Sequence, residues 1–368
     1  MVPDLPPMDV AGRLPRLRAR IAEAEVDALV VTALANISYL TGFTGSAGTL
    51  LVGPDEVLLL TDGRYRTQSG EQVARAGVEA RIEIGRPAEQ RETLAKAASS
   101  YRRLGLEADH LSWSGQRALA EAFGEGVELV PTAGVVEGLR RVKDPGEVAR
   151  MEAAAAVADE ALVAVRPLFD RGPSEAELAQ ALDHEMRRLG AEDRAFSTIV
   201  ASGPNGALPH ARPTDRRIGE GELVVIDFGA VVEGYCSDMT RTLCRGAPGS
   251  RLLEAVVEVV AASQAAGVAA VAAGVEAAEV DRACREVIAN AGWADAFSHS
   301  TGHGVGLDVH EAPAVATTST DILEESSVVT VEPGVYLPGH GGVRIEDTVV
   351  VCADGCRSLT RSPREVVA

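Results

Sequence analysis

GELVVIDFGAVVEGYCSDMTRTLCRG, residues 221–246, alternates apolar and polar positions, breaks near Glu233 and then resumes. That pattern predicts a β-hairpin turning at 232–234. Strand side chains repeat every second residue, so Asp238 and Thr240 share a face, and the turn sets Asp227 on that face opposite one of them. The two aspartates are either surface acids or a pair aimed at one spot. Their apolar surroundings favour the second reading, because an unpaired carboxylate is expensive there.

Outward from this hairpin, helical periodicity with start signals occurs at 145–169, where Asp144, Pro145 and Glu147 open a helix. It recurs at 174–189, where Ser174 and Glu177 form a capping box. Further helices are predicted over 252–273 and 278–291. Helices before and between antiparallel strands imply an α+β domain. Upstream, helix-like runs at 14–24, 64–76 and 89–104 alternate with strand-like runs at 28–32, 48–52 and 57–61. Short apolar runs near 104–107 and 127–131 follow the same style, and the whole reads as an α/β layer domain. A turn-rich joint between Pro131 and Pro145 divides the chain into domains 1–133 and 134–368.

With 368 residues, 46% apolar and 24% charged, there is material for two cores rather than one. A net charge of -19 argues against nucleic-acid binding, which depends on clustered Lys and Arg. The opening MVPDLPPMDVAGRLPRLRAR has prolines and an early aspartate where a secretory signal needs a basic start and an apolar run, so a cytoplasmic protein is expected. The apolar stretch 252–273 is interrupted by Glu254, Glu258, Ser263 and Gln264, which predicts a half-buried helix and no membrane partner. Five cysteines without a CxxC pair read as reduced thiols. Cys236, two residues before Asp238, is discounted as a ligand because carboxylate-rich surroundings suit harder ions.

Three more candidate ligands join the two aspartates: His303 in STGHGVGLDVHE, Glu332 in VTVEPGVY and Glu346 in GGVRIEDTVV. Four carboxylates gathered without cations would repel and take up protons. Two divalent cations cancel that charge, so a two-metal hydrolase site follows if the fold brings these segments together. Mn²⁺ or Co²⁺ suits such an oxygen-rich set, with Zn²⁺ as the alternative. Read as a second hairpin, the last stretch puts Arg344, Glu346 and Thr348 on one face and Val343, Ile345 and Val349 on the other, with Asp347 a polar exception. Glu346 and Arg344 are then either a surface pair worth little, or a ligand beside a cation that positions a carboxylate or the substrate. Glu332 ends an apolar run before Pro333 and Gly334, so the strand stops and the acid sits at its rim. The glycines around His303 permit close backbone approach. GHGVG lacks the spacing of a dinucleotide loop, and Ser300, Thr301 and Gly302 between His299 and His303 exclude a zincin helix. Of seven histidines, His210, His299, His303 and His310 fall in these neighbourhoods, and proton transfer or oxyanion stabilisation is expected of some. His110, His184 and His340 read as structural or surface residues.

Taken in order, NGALPH, DFGA, SDMTRT, GHGVGLDVHE, EPGVY and RIEDT resemble the motifs of the pita-bread metallopeptidases, in the branch that cleaves Xaa-Pro bonds, aminopeptidase P and prolidase. The resemblance covers essentially the whole second domain. It implies that Asp227 binds one metal, that Asp238 and Glu346 bridge two, and that His303 and Glu332 bind the other. It also implies that His210, His299 and His310 line the substrate site as catalytic groups, that Arg344 contacts a ligand or the substrate, and that Tyr336 lies near the metals. Glu332 is the expected proton acceptor. The first domain is similar to the creatinase-type amino-terminal domain in YLTGFTGSAGTLLV and TDGRY. TDGRY resembles the aminopeptidase P side, so Arg64 and Tyr65 are either substrate contacts or helix-start surface residues. Some relatives carry an arginine after the proline of VHE-x-P; here that place is Ala314, which weakens one clamp on a dipeptide's carboxylate. The activity so implied is of the aminopeptidase P type, with an Xaa-Pro dipeptidase, a metal-free peptide-binding protein and a methionine aminopeptidase as alternatives. The expected partners are proline-containing peptides and a second copy of the chain in a dimer.

Overall fold

Six strands in the order Arg81–Ile84, Val57–Thr61, Thr49–Val52, Ala28–Val31, Arg103–Glu107, Glu128–Thr132 make one sheet in the computed structural model, which describes residues 5–124 and 126–364. The first four and last four residues, within the reach of the predicted domains, lie outside the described residues. Ala28–Val31 runs antiparallel to Thr49–Val52 and parallel to Arg103–Glu107. Every residue of Ala28–Val31 and Val57–Thr61 is buried, the continuous apolar strand expected when both faces of a sheet are covered. The helix predicted over 89–104 is shorter, Pro87–Ala98, because Leu104 and Leu106 are taken into the strand Arg103–Glu107. Helices Leu34–Thr41 and Trp113–Phe123 are additional to the elements expected from the sequence.

The chain divides between Arg140 and Arg141, and the second unit takes the remainder together with the stretch ending at Pro6. It repeats one construction. The helices Pro145–Phe169 and Glu175–Leu189 pack on the strands Leu223–Phe228 and Ala230–Val232 through Ala154, Ala158, Leu178, Leu182, Val224 and Phe228. The helices Arg251–Ala270 and Ala277–Asn290 pack on Glu311–Val315, Val328–Val331 and Asp347–Cys352 through Val256, Val260, Val280, Cys284, Val329 and Val349. The predicted capping box at Ser174 is present, and the helix start at Asp144 makes a second: Asp144 Oδ1 accepts from the Glu147 amide and Ser174 Oγ from the Glu177 amide, with each glutamate reaching back. Arg251–Ala270 is long and apolar enough to cross a membrane by composition, and here it turns Val256, Val260, Ser263, Gln264 and Gly267 into the core.

The hairpin at 221–246 forms in two tiers. Leu223–Phe228 pairs with Met239–Cys244, with Asp227 opposite Thr240, while Ala230–Val232 pairs with Tyr235–Cys236. Glu233 (φ 45°) and Gly234 (φ 82°) make the two-residue turn, both in the left-handed region that a right-twisted hairpin requires. Between the tiers a Cβ on Gly229 would stand 1.9 Å from the Ser237 carbonyl oxygen. Only glycine allows that approach, and it takes Asp238 out of the ladder at the bend.

The second predicted hairpin does not exist as one unit. Gly341–Arg344 pairs with Gly334–Leu337 in a two-stranded sheet. Asp347–Cys352 instead joins Val328–Val331 and Gly355–Ser358 in a five-stranded one. Ile345 and Glu346 are the crossing between sheets. Strand periodicity persists across the break, so the sequence gives no sign that the two strands have different partners.

Candidate metal centre

Asp227 comes from the end of a strand, Asp238 from the hairpin bend, His303 from Gly302–Gly304, Glu332 from the residue after Val328–Val331, and Glu346 from the crossing between sheets. These positions converge. Asp238, His303 and Glu346 offer three ligand atoms all within 4.8 Å of one another. His303 Nε2 stands 3.7 Å from Asp238 Oδ2 and 3.4 Å from Glu332 Oε1. Asp227 joins through Arg344, whose Nη2 donates to Asp227 Oδ2 at 2.5 Å and whose Nε lies 3.8 Å from Glu332 Oε2.

The orientation of each group has a local cause. His303 Nδ1 lies 3.0 Å from the Gly304 carbonyl, so the proton belongs on Nδ1 and Nε2 is left to face the acids. Thr240 Oγ1 donates to Glu346 Oε2 at 2.7 Å and accepts from Arg344 Nε at 3.0 Å. Thr240, two residues after Asp238, is therefore also a residue of the centre, and that i, i+2 spacing is its signal in the sequence. Tyr336 Oη is 2.8 Å from both Arg344 Nη1 and His299 Nε2, which puts Tyr336, Arg344 and His299 in one chain of hydrogen bonds beside the acids. The ring of His310 lies against that of His303, centroids 4.3 Å apart.

Burial and mutual repulsion act together on the acids. Burial, then Glu346, Asp227 and Glu332, hold Asp238 far above the usual carboxylate range. Glu332 is pushed far up by burial and Glu346, and Glu346 rises to about 8 through burial and Asp227. Burial lowers His299 and His303 to about 4, so both are neutral at pH 7. Burial raises Tyr336 to about 12. Among the described residues, Asp227 Oδ1 and Glu346 Oε1 are buried side-chain oxygens with no hydrogen-bond donor. Two orphaned acceptors, three strongly raised carboxylates and a neutral imidazole aimed at them are what a divalent cation would satisfy, so the residues fit a metal.

An open cleft of about 690 Å³ reaches this centre and is lined by Asp238, His210 and His310. Arg64 and Tyr65 belong to the first unit and lie at a helix start, Arg64 exposed and Tyr65 half-buried. There Arg64 pairs with Asp62 at 2.8 Å, and Tyr65 Oη lies 2.6 Å from Ser46 Oγ. Ala314 is exposed on Glu311–Val315.

Comparison with known proteins adds the family. The profile of Metallopeptidase family M24 matches residues 149–353, and that of the Creatinase/Prolidase N-terminal domain matches residues 13–142. The uncharacterized peptidase YqhT of Bacillus subtilis is 42% identical over 96% of this chain and 99% of its own. An Xaa-Pro dipeptidase from Bacillus anthracis superimposes with a TM-score of 0.92 at 38% identity, covering 98% of this chain and 100% of that one. An X-Pro aminopeptidase from Thermotoga maritima does so with a TM-score of 0.86 at 35% identity, covering 95% and 100%. A creatinase-type α/β unit ahead of a pita-bread unit, with its acids and histidine gathered in the second, thus makes this chain a member of metallopeptidase family M24, and the use of divalent metal follows from that membership.

Proposed function

We propose that this protein hydrolyses the amino-terminal Xaa-Pro bond of peptides with the help of two divalent ions, Mn²⁺ or Co²⁺ before Zn²⁺. The observation that carries the reading is the convergence of Asp227, Asp238, His303, Glu332 and Glu346 at the end of a cleft lined by His210 and His310. Asp227, Asp238 and Glu346 would hold one ion, and Asp238, Glu346, His303 and Glu332 the other. When bound, such ions lower the pKa of water and polarise a carbonyl.

The remaining steps belong to the chain. Glu332, whose Oε1 lies 3.4 Å from His303 Nε2, takes the proton from the attacking water and returns it to the proline nitrogen as the bond breaks. His310, held against His303, and His210, which lines the same cleft, steady the scissile carbonyl as negative charge grows on its oxygen. Arg344 keeps Asp227 and Tyr336 in place, and Tyr336 in turn holds the neutral His299.

Peptide length has two readings. Ala314 and TDGRY point to peptides that continue beyond proline, the aminopeptidase P type. The likeness to the Xaa-Pro dipeptidase from Bacillus anthracis favours dipeptides. The test is hydrolysis of Ala-Pro, Ala-Pro-Ala and Met-Ala-Ser by the Mn²⁺-loaded protein. Cleavage of the two proline peptides and not the third is expected. Cleavage of Met-Ala-Ser alone would make it a methionine aminopeptidase, and no cleavage with no bound metal would make it a binding protein.

A further inference from the structure

We infer that Arg212 binds the free carboxylate of an Xaa-Pro dipeptide and thereby sets the peptide length this chain takes. The inference rests on the Xaa-Pro reading of the centre and names the residue that recognises the far end of the substrate. Ala211 is buried in a small cluster with Ile199 and Ala201. His210 and Arg212, the residues on either side of Ala211, are exposed, and both line the same cleft as His310 and Asp238. One side of the anchor thus presents an imidazole and the other a guanidinium.

Charge accounting within the cleft isolates Arg212. The other guanidinium there, Arg194, donates to Asp183 Oδ2 at 2.7 Å, and Asp183 also accepts from Thr198 Oγ1 at 2.5 Å. Among the described residues, no carboxylate is paired with Arg212. A dipeptide with its carbonyl at the acid cluster carries its own carboxylate one residue beyond the scissile bond. A guanidinium two residues from His210 presents parallel N–H donors to such a group. A longer peptide has a neutral amide at that point and forfeits the charged contact. Ala314 supplies no cation, so Arg212 takes the part that an alanine leaves vacant there, and dipeptides are favoured over longer peptides.

The experiment compares Ala-Pro with Ala-Pro-NH2 in the wild-type holoenzyme, Arg212→Ala and Arg212→Lys. In parallel, calorimetry follows binding of a reduced-bond Ala-Pro analogue in acid and amide forms. In the wild type the acid forms are preferred. In Arg212→Ala that preference, read as the ratio of kcat/KM and carried by KM, falls about 10- to 100-fold, the range for losing a charge-assisted hydrogen-bond pair. Arg212→Lys recovers part of it. Equal preference for acid over amide in wild type and Arg212→Ala overturns the assignment. If no peptide is cleaved, the hydrolytic reading fails, and calorimetry still decides: acid-over-amide discrimination lost in Arg212→Ala supports the clamp, and its absence in the wild type overturns it.

Discussion

The Gly304 carbonyl fixes the proton of His303 on Nδ1 and leaves Nε2 to the acids, and Thr240 does the same for one oxygen of Glu346. Single side chains of this kind carry the sharpest expectations. Asp238→Ala or Glu346→Ala should abolish hydrolysis and lower bound metal, because each removes a carboxylate shared by the whole cluster. Metal analysis beside rate measurement checks this, and two metals per chain with near-normal turnover would contradict the ligand assignment. His210→Ala and His310→Ala should fold and keep metal but lose roughly two to four decades in rate, as expected for a lost proton-transfer or electrostatic contributor. Loss of metal in either variant, seen by the same analysis, would move that histidine into the ligand set. The identities of these acids and histidines were legible because each stands in apolar or glycine-rich text that gives a charged group no reason to be there. Arg212 was not, since a lone arginine in HARPTD looks like any exposed residue until its cleft is known.

The glycines on either side of His303 belong to the strand rather than to the histidine. A Cβ on Gly302 would lie 2.1 Å from the Thr330 carbonyl oxygen, and one on Gly304 2.3 Å from that of Ala312. The strand is pressed between two neighbours, and that pressure sets how far His303 projects. Gly302→Ala should therefore cost about 1–3 kcal/mol of stability, the usual range for forced backbone shifts, and also weaken metal binding. Chemical denaturation and metal titration of the variant measure both, and normal metal affinity would uncouple the strand from the centre. Close approach at GHG was legible from its glycines. The break at Ile345–Glu346 was not, because alternation along 341–351 is the same whether one sheet receives the segment or two. The buried Asp347, a polar exception in the pattern, has its reason in the fold. Its oxygens accept from Arg241, Thr360, Gln264 and Arg364, and the two arginines outweigh burial to hold its carboxyl below the usual range.

Across the whole molecule the gathered acids link metal, proton and stability. Glu346 titrates near 8 in the metal-free fold against an ordinary value of 4.5, so between these values the folded protein keeps a proton that the unfolded chain has released. Stability of the metal-free protein then falls as pH rises through that window, and Asp238 and Glu332 act in the same direction. Protein treated with chelator should melt at a lower temperature at pH 8 than at pH 6, and Mn²⁺ should raise the melting temperature more at pH 8. A metal-free melting temperature that climbs over this range would contradict the clustering. By itself the sequence determined the two-part organisation, the capped helices, the first hairpin and the kinds of residue at the centre, because caps, turns and periodicity act over a few neighbouring residues. Only the tertiary structure decided that Ile345 and Glu346 cross between sheets, that Thr240 and Arg344 hold the acids, and that His210 and Arg212 share one cleft. Those facts depend on which strands pair and which residue of a loop is anchored in the core, and such contacts join segments a hundred residues apart, beyond the reach of any local pattern.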